Sequence, residues 1–296
     1  MKKIMNAQRE TVGERIFNII NIILLTLFSV SIIFPILNVI SVSFSSDKYI
    51  YTNAVSFYPK GFTIHAYETV MSNNSLLNAY GNTIKVILIS VVFSLILTAF
   101  AAYPLAFGSF YGKKIYKYMI LVTLWFNSGI VPTFMVINRL GMVNTHWPLI
   151  LVPLISAYNV VIVKSFYEGI PQALIESATL DGANDLIILF RIVLPLSKAV
   201  LATVGLWIVV DRMNDFLNAV VYLRDYEKYT VQVVLRDIVI ASSAAQYNLL
   251  PDESNGTLPE QIRNASIVVT MLPIIMIYPF LQKYFVKGVT LGAVKG

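Results

Sequence analysis

Apolar runs of about twenty residues recur along the chain, separated by more polar stretches of varied length, at about 16–40, 82–107, 118–137, 147–166, 198–222 and 266–286. A helix of that length, rising 1.5 Å per residue, covers the roughly 30 Å hydrocarbon core of a bilayer. An open sheet would turn its edge N–H and C=O groups to lipid, so the runs predict helices. The pattern predicts an all-α, polytopic membrane protein with six transmembrane helices, one transmembrane domain over 1–296. The first run follows Lys2, Lys3, Arg9 and Arg15 but continues to about Ile40. A signal h-region has only about 7–15 residues and ends in a small-residue cleavage site, so the run reads as a span. The sequence shows no internal repeat and no low-complexity run.

Lysine and arginine set the expected orientation. The N-terminus, 108–117, 167–197 with its flanks and the C-terminus hold most of them, including Lys113, Lys114, Lys117, Lys164, Arg191, Lys198, Lys283 and Lys287. Basic residues concentrate on the cytoplasmic side, so both termini are expected inside. The long segments 41–81 and 223–265 are then external. The second contains YTVQVVLRDIVIASS, in which Val231, Val234, Leu235, Ile238 and Val239 fall near helical spacing. A polar, turn-rich stretch follows it and reads as an exposed loop.

Composition supports the membrane reading. The chain is 57% hydrophobic and 13% charged, about half the charge of a soluble domain. A net charge of +6 is what basic cytoplasmic loops produce, so lipid and not nucleic acid is the expected partner. With no cysteine there is no disulfide, thiolate site or cysteine nucleophile. His65 and His146 are the only histidines and lie in different external loops, so no metal site is expected.

Segment 167–197 is too polar to span and too patterned to be a tether. Gly169-Ile170-Pro171 ends the fourth run, and Pro171 suits the first turn of a helix. QALIESATL continues with helix formers and stops at Asp181-Gly182, where glycine takes the left-handed C-terminal position. Asn184 or Asp185 can cap a second helix, LIILFRIVL, which Pro195 ends. Two short helices at an acute turn result, with small residues (Ala173, Ser177, Ala178, Gly182, Ala183) that admit close docking of another protein. Such an element equally suits a linker lying on the membrane surface.

Glu176-Ser177-Ala178, Gly182 six residues after the glutamate, Ile192 and Leu194-Pro195 resemble, in type and spacing, the EAA coupling motif of ABC importer permeases. Ser177 stands where alanine is usual. Asp181 before Gly182-Ala183, and Phe190-Arg191-Ile192 before the Leu-Pro, resemble the maltose-type carbohydrate-uptake permeases; VVLRDIV resembles permeases for polysaccharide fragments. GMVNTHW at 141–147, MNDFLNAVVYL and the tail VKGVTLGAVKG fit as well. The resemblance implies a type I importer permease fold that is half of a translocation pathway. Its implied partners are a second homologous permease in a heterodimer, a cytoplasmic ATPase dimer and an extracytoplasmic solute-binding protein, in a bacterial cytoplasmic membrane. Residues 171–195 would couple to the ATPase: Glu176 would meet its surface, Gly182 would allow the turn and Leu194-Pro195 would fix the exit. One of two maltose-type subunits inserts a tail like 284–296 between ATPase subunits; a frayed terminus is the alternative. No G-x-x-x-x-G-K-[ST] occurs, GSFYGKK at 108–114 being one residue short between its glycines. The chain is therefore expected to be no enzyme and to bind no cofactor, ATP and magnesium residing on the partner.

Asp211, Arg212, Asn214 and Asp215 fall in or just past the middle of the fifth run, where an ionisable group costs a few kcal/mol unless paired or hydrated. Asp211 and Asp215 share a helical face with Asn218 near it, and Trp207 or Phe216 offers a ring for stacking on a sugar. This face is expected to line a hydrated substrate pathway; the alternative is pairing that only fixes packing. Arg212 is expected to favour acidic sugars. Asn127, Ser128 and Gly129 break the third run, with Pro132 following, which marks either the pathway or a structural kink. An ion-driven secondary transporter and a membrane sensor remain the competing classes.

Overall fold

The computed structural model describes residues 11–247 and 259–293, with side chains placed to residue 242 and over 259–277 and 279. Among the described residues every regular element is helical and none is a strand, as the apolar pattern predicts.

One compact unit comprises the described parts of 1–70 and 240–268. Its first helix, α1 (Val12–Ser43), starts at a reciprocal cap: Thr11 Oγ1 accepts from the Glu14 N–H and the Glu14 carboxylate accepts from the Thr11 N–H at 2.7 Å. From Ile16 to Ile33 its large apolar side chains stay exposed. A helix apolar all round with no protein cover suits lipid. Beyond it lie α2 (Asp47–Tyr51) and α3 (His65–Met71), where Phe44 stacks on both Phe62 and Tyr67. Buried Gln261 donates to the Ser45 carbonyl at 2.9 Å, fixing that corner.

The second unit comprises the described parts of 71–239 and 269–296. Its axis is α4 (Asn74–Ala106), whose buried stripe of Ala79, Thr83, Val86, Ser90, Ser94, Thr98 and Ala102 is mostly small. Small residues let neighbouring backbones approach closely in a membrane. Next come α5 (Lys113–Trp125) and α6 (Ile130–Arg139), α7 (Trp147–Leu151) and α8 (Ala157–Tyr167). Then follow α9 (Gln172–Leu180), α10 (Asp185–Ile188), a π-helical turn over Leu189–Val193 and α11 (Leu194–Leu196). The rest are α12 (Lys198–Met213), α13 (Leu217–Tyr222), α14 (Val231–Tyr247) and α15 (Pro259–Ala293); the last two each run across both units. α12 packs on α4 at Gly205, where an added Cβ would stand 3.1 Å from Leu95 Cδ1.

Three described helices, α1, α4 and Pro259–Ile277 of α15, are long and apolar enough to cross a bilayer singly. Two bent pairs bring the number to five if each is one span: α5 with α6, turned by 112°, and Asp185–Leu196 with α12, turned by 81°. The expected spans at 118–137, 147–166 and 198–222 are each interrupted, at 126–129, 152–156 and 214–216. Hydropathy registers how apolar a run is but not where its helix stops. The amphipathic stretch after the fifth run is helical, as its periodicity predicts, with Val231, Val233 and Val234 buried.

Candidate functional site

The α9–α11 segment is built from local signals and rooted in the second unit's main core. α9 ends in a Schellman motif: Gly182 N–H donates to the Thr179 carbonyl and Ala183 N–H to that of Ala178, both at 3.0 Å. Gly182 has φ +81°, and an added Cβ would meet nothing within 4 Å. Backbone conformation alone therefore requires glycine, and the space outside it is open. Asn184 Oδ1 accepts from the Ile187 N–H at 2.9 Å and starts α10. The π-helical turn lies just ahead of Pro195, which lacks an N–H and excludes the carbonyl four residues back; one extra residue per turn accommodates it. The turn at Ser197 then redirects the chain into α12. Pro195 thus lies inside a helical turn, and the stop comes at Ser197.

The inner face belongs to a core shared by three helices. Ile188, Leu189 and Val193 are buried with Ala102 and Tyr103 of α4, Val163 and Tyr167 of α8 and Val204 of α12, while Ile175, Ala178, Ala183, Ile192 and Leu194 pack against them. Two further contacts tie the element to α4: the Tyr103 hydroxyl donates to Asp185 Oδ1 at 3.1 Å, and Phe100 meets Phe190 edge-on at 5.9 Å. The outer face is bare. Glu176, Ser177, Asp181, Gly182 and Pro195 are exposed, and Leu180 is 89% exposed at the apex. A rigid element with one face in the core and one face free can pass a push from outside into α4, α8 and α12.

The polar residues of the fifth run collect around one cation. Arg212, its side chain 5% exposed, donates Nη1 to Asp215 Oδ2 at 2.8 Å and to the Leu149 carbonyl at 3.1 Å, and pairs with Asp211 through Nη2. Asn218 Nδ2 donates to Asp215 Oδ1 at 2.9 Å. Asp211 is largely exposed and Asn214 exposed, the Asp215 side chain is nearly buried, and Phe216, Asn218 and Trp207 are half-buried. Adjacent Asp211 and Arg212 pair within the last turn of α12, and Asp215 reaches the same guanidinium from beyond the break that follows Met213. Arg212 thus ties the α12–α13 break to the Leu149 carbonyl of α7, which is the geometry expected of the packing alternative. Trp207 lies against Tyr158, ring centroids 5.8 Å apart. Asn127 is exposed at the α5–α6 break, where its Oδ1 accepts from the Gly129 N–H at 2.9 Å and Gly129 takes φ +81°.

Asn144, at φ +64°, accepts through Oδ1 from the Arg224 and Asp225 N–H groups and donates through Nδ2 to Asp225 at 2.7 Å. Its own N–H reaches the Tyr222 carbonyl at 2.7 Å. The Lys228 ammonium, then the Asn144 amide, hold the Asp225 carboxyl below its ordinary value. Asn144 belongs to the GMVNTHW stretch, and its residue type suits the turn, since asparagine tolerates the left-handed region better than most. Among the described residues no cluster of acidic or histidine side chains could hold a metal ion.

No family model matches the chain. It is 36% identical over 284 residues, 96% of its length and 99% of the relative's, to the polygalacturonan/rhamnogalacturonan transport system permease protein YtcP of Bacillus subtilis (strain 168). It is 30% identical over 281 residues, 93% of the chain and 94% of the relative, to the galactooligosaccharides transport system permease protein GanQ of the same organism. A chain of a bacterial ABC transporter involved in the import of the acidic polysaccharide alginate superposes with a TM-score of 0.85 at 31% identity, over 93% of this chain and 99% of that one. The chain belongs to the sugar-transport permeases of ABC transporters. It has the ABC importer permease fold and is a non-catalytic integral subunit of a bacterial plasma membrane.

Proposed function

We propose that the chain forms half of the translocation pathway of an ATP-driven importer of oligosaccharides, acidic polysaccharide fragments among them. A second homologous permease completes the pathway, a solute-binding protein delivers sugar outside, and an ATPase dimer carrying ATP and magnesium docks on residues 171–195 inside. This chain then needs no cofactor, and both termini lie in the cytoplasm. Glu176, Ser177, Asp181 and Gly182 form the docking face, Ala178 packs beneath it against the core, and Ile192, Leu194 and Pro195 join it to α12. Asp211, Asn214 and Asn218, with Trp207, Phe216 and Asn127, serve the pathway, and Arg212 and Asp215 hold its shape.

The observation that carries this reading is the two-faced α9–α11 element, bare outside and inside continuous with the core of α4, α8 and α12. The sugar class rests on the relatives, which are named for the transport of galactooligosaccharides, polygalacturonan, rhamnogalacturonan and alginate. Purified importer in sealed vesicles tests it: uptake of a galacturonate oligomer must require ATP. Uptake driven by a proton or sodium gradient without ATP would make the chain a secondary transporter, and no flux under either condition would leave the sensor class.

A further inference from the structure

Arg212 in the fifth run and Arg236 on α14 stand in opposite states. Arg212 is buried, its guanidinium occupied by Asp211, Asp215 and the Leu149 carbonyl. Arg236, in the VVLRDIV stretch on α14, has a side chain 50% exposed. Its guanidinium carbon lies 5.7 Å from the centroid of the half-buried Phe216 ring. The carboxylate that faces it is Asp237, at 3.8 Å, beyond hydrogen-bond distance. A guanidinium held at an aromatic ring keeps a fixed place, and its edge N–H donors stay available to a carboxylate in a two-pronged contact.

We propose that Arg236, steadied by Phe216, is the residue of this chain that reads the carboxylate of an acidic sugar. A uronate ring presents a carboxylate on one edge and an apolar C–H face, and a cation beside an aromatic ring matches both. A neutral sugar gains only the hydroxyl and C–H contacts there, so the residue sets selectivity between charged and uncharged oligosaccharides. The assignment rests on the acidic-oligosaccharide reading above.

The test uses the complete importer, with its ATPase and binding protein, in vesicles. Initial uptake of trigalacturonate and of uncharged galactotriose is compared for wild type, Arg236→Gln and Arg236→Lys, with assembly checked by gel filtration. Loss of one charge-assisted contact is expected to slow trigalacturonate uptake roughly tenfold in Arg236→Gln while leaving galactotriose unchanged, and Arg236→Lys recovers part of the loss. Equal slowing of both sugars, or no slowing of either, overturns the assignment while the importer reading stands. Wild-type vesicles that take up galactotriose but not trigalacturonate overturn the acidic-substrate reading and the assignment together.

Discussion

Replacing Arg212 by methionine removes the centre of the polar cluster. The long apolar chain fits a similar volume, so the change isolates the charge. Asp215 would be left with a side chain 11% exposed and no cation, its remaining hydrogen bonds coming from Asn218. Breaking a buried ion pair from one side costs about 3–5 kcal/mol, because the surviving charge stays buried. The pair to Asp211 adds little, since that carboxylate is 71% exposed. Arg212→Met should therefore lower the thermal midpoint of the detergent-purified importer by several degrees and slow acidic and neutral sugars alike. Arg212→Met with Asp215→Asn removes both charges and keeps an oxygen facing Asn218, so the pair of changes should recover part of the stability. The measurements are thermal unfolding followed by fluorescence-detected gel filtration, and uptake of both sugars. A stable Arg212→Met importer that fails only on acidic sugars would refute this reasoning and return Arg212 to the substrate.

Gly182→Asp should preserve basal ATP hydrolysis and abolish ATP-driven uptake; unchanged uptake would count against the docking role. The left-handed position costs a non-glycine residue about 1–2 kcal/mol, and the new carboxylate would project into the open space where the ATPase is expected. Tyr103→Phe deletes the hydroxyl on Asp185 and should lower sugar moved per ATP hydrolysed a few-fold, as should Asp185→Ala. Asp185→Asn keeps an acceptor and should remain near wild type; equal behaviour of all three would remove the contact from the coupling route. The Asp225 carboxyl titrates below its ordinary value of 3.8, mainly through Lys228 and then Asn144. A lowered folded value means that the stabilisation is fully present above the ordinary value and is lost as pH falls through the lowered one. Protection of the Asp225 amide, measured against its intrinsic exchange rate at each pH, should fall over that acidic window in wild type and show no such step in Asp225→Asn.

Signals that act within a few residues were legible from the chain alone. Asp181-Gly182 predicts the end of α9, Asn184 or Asp185 its successor's cap and the Val231 periodicity α14, because each is decided by local backbone preference or by one face of one helix. Apolar length likewise announced α1 and α4. The breaks at 152–156 and 214–216 were not legible, since a hydropathy run continues unaltered through a short interruption. Asn127-Ser128-Gly129 was visible as a break, but not its 112° turn, which depends on what α5 and α6 pack against. Helical spacing placed Asp211 and Asp215 on one face, yet α12 stops at Met213 and both carboxylates pair with Arg212, Asp215 from beyond the break. The different environments of Arg212 and Arg236, one buried under α7 and one half in solvent, arise from tertiary packing that identical side chains cannot reveal in sequence.

Crosslinking at position 176 tests the central claim most directly. The chain has no cysteine, so Glu176→Cys gives a single reactive thiol on the outer face of α9. With the importer in native membranes, a short bifunctional reagent should join this thiol to a separate ATP-hydrolysing subunit, and the yield should change when ATP is bound. A thiol that labels freely but joins no ATPase, with or without nucleotide, would contradict the assignment of residues 171–195 as the coupling element.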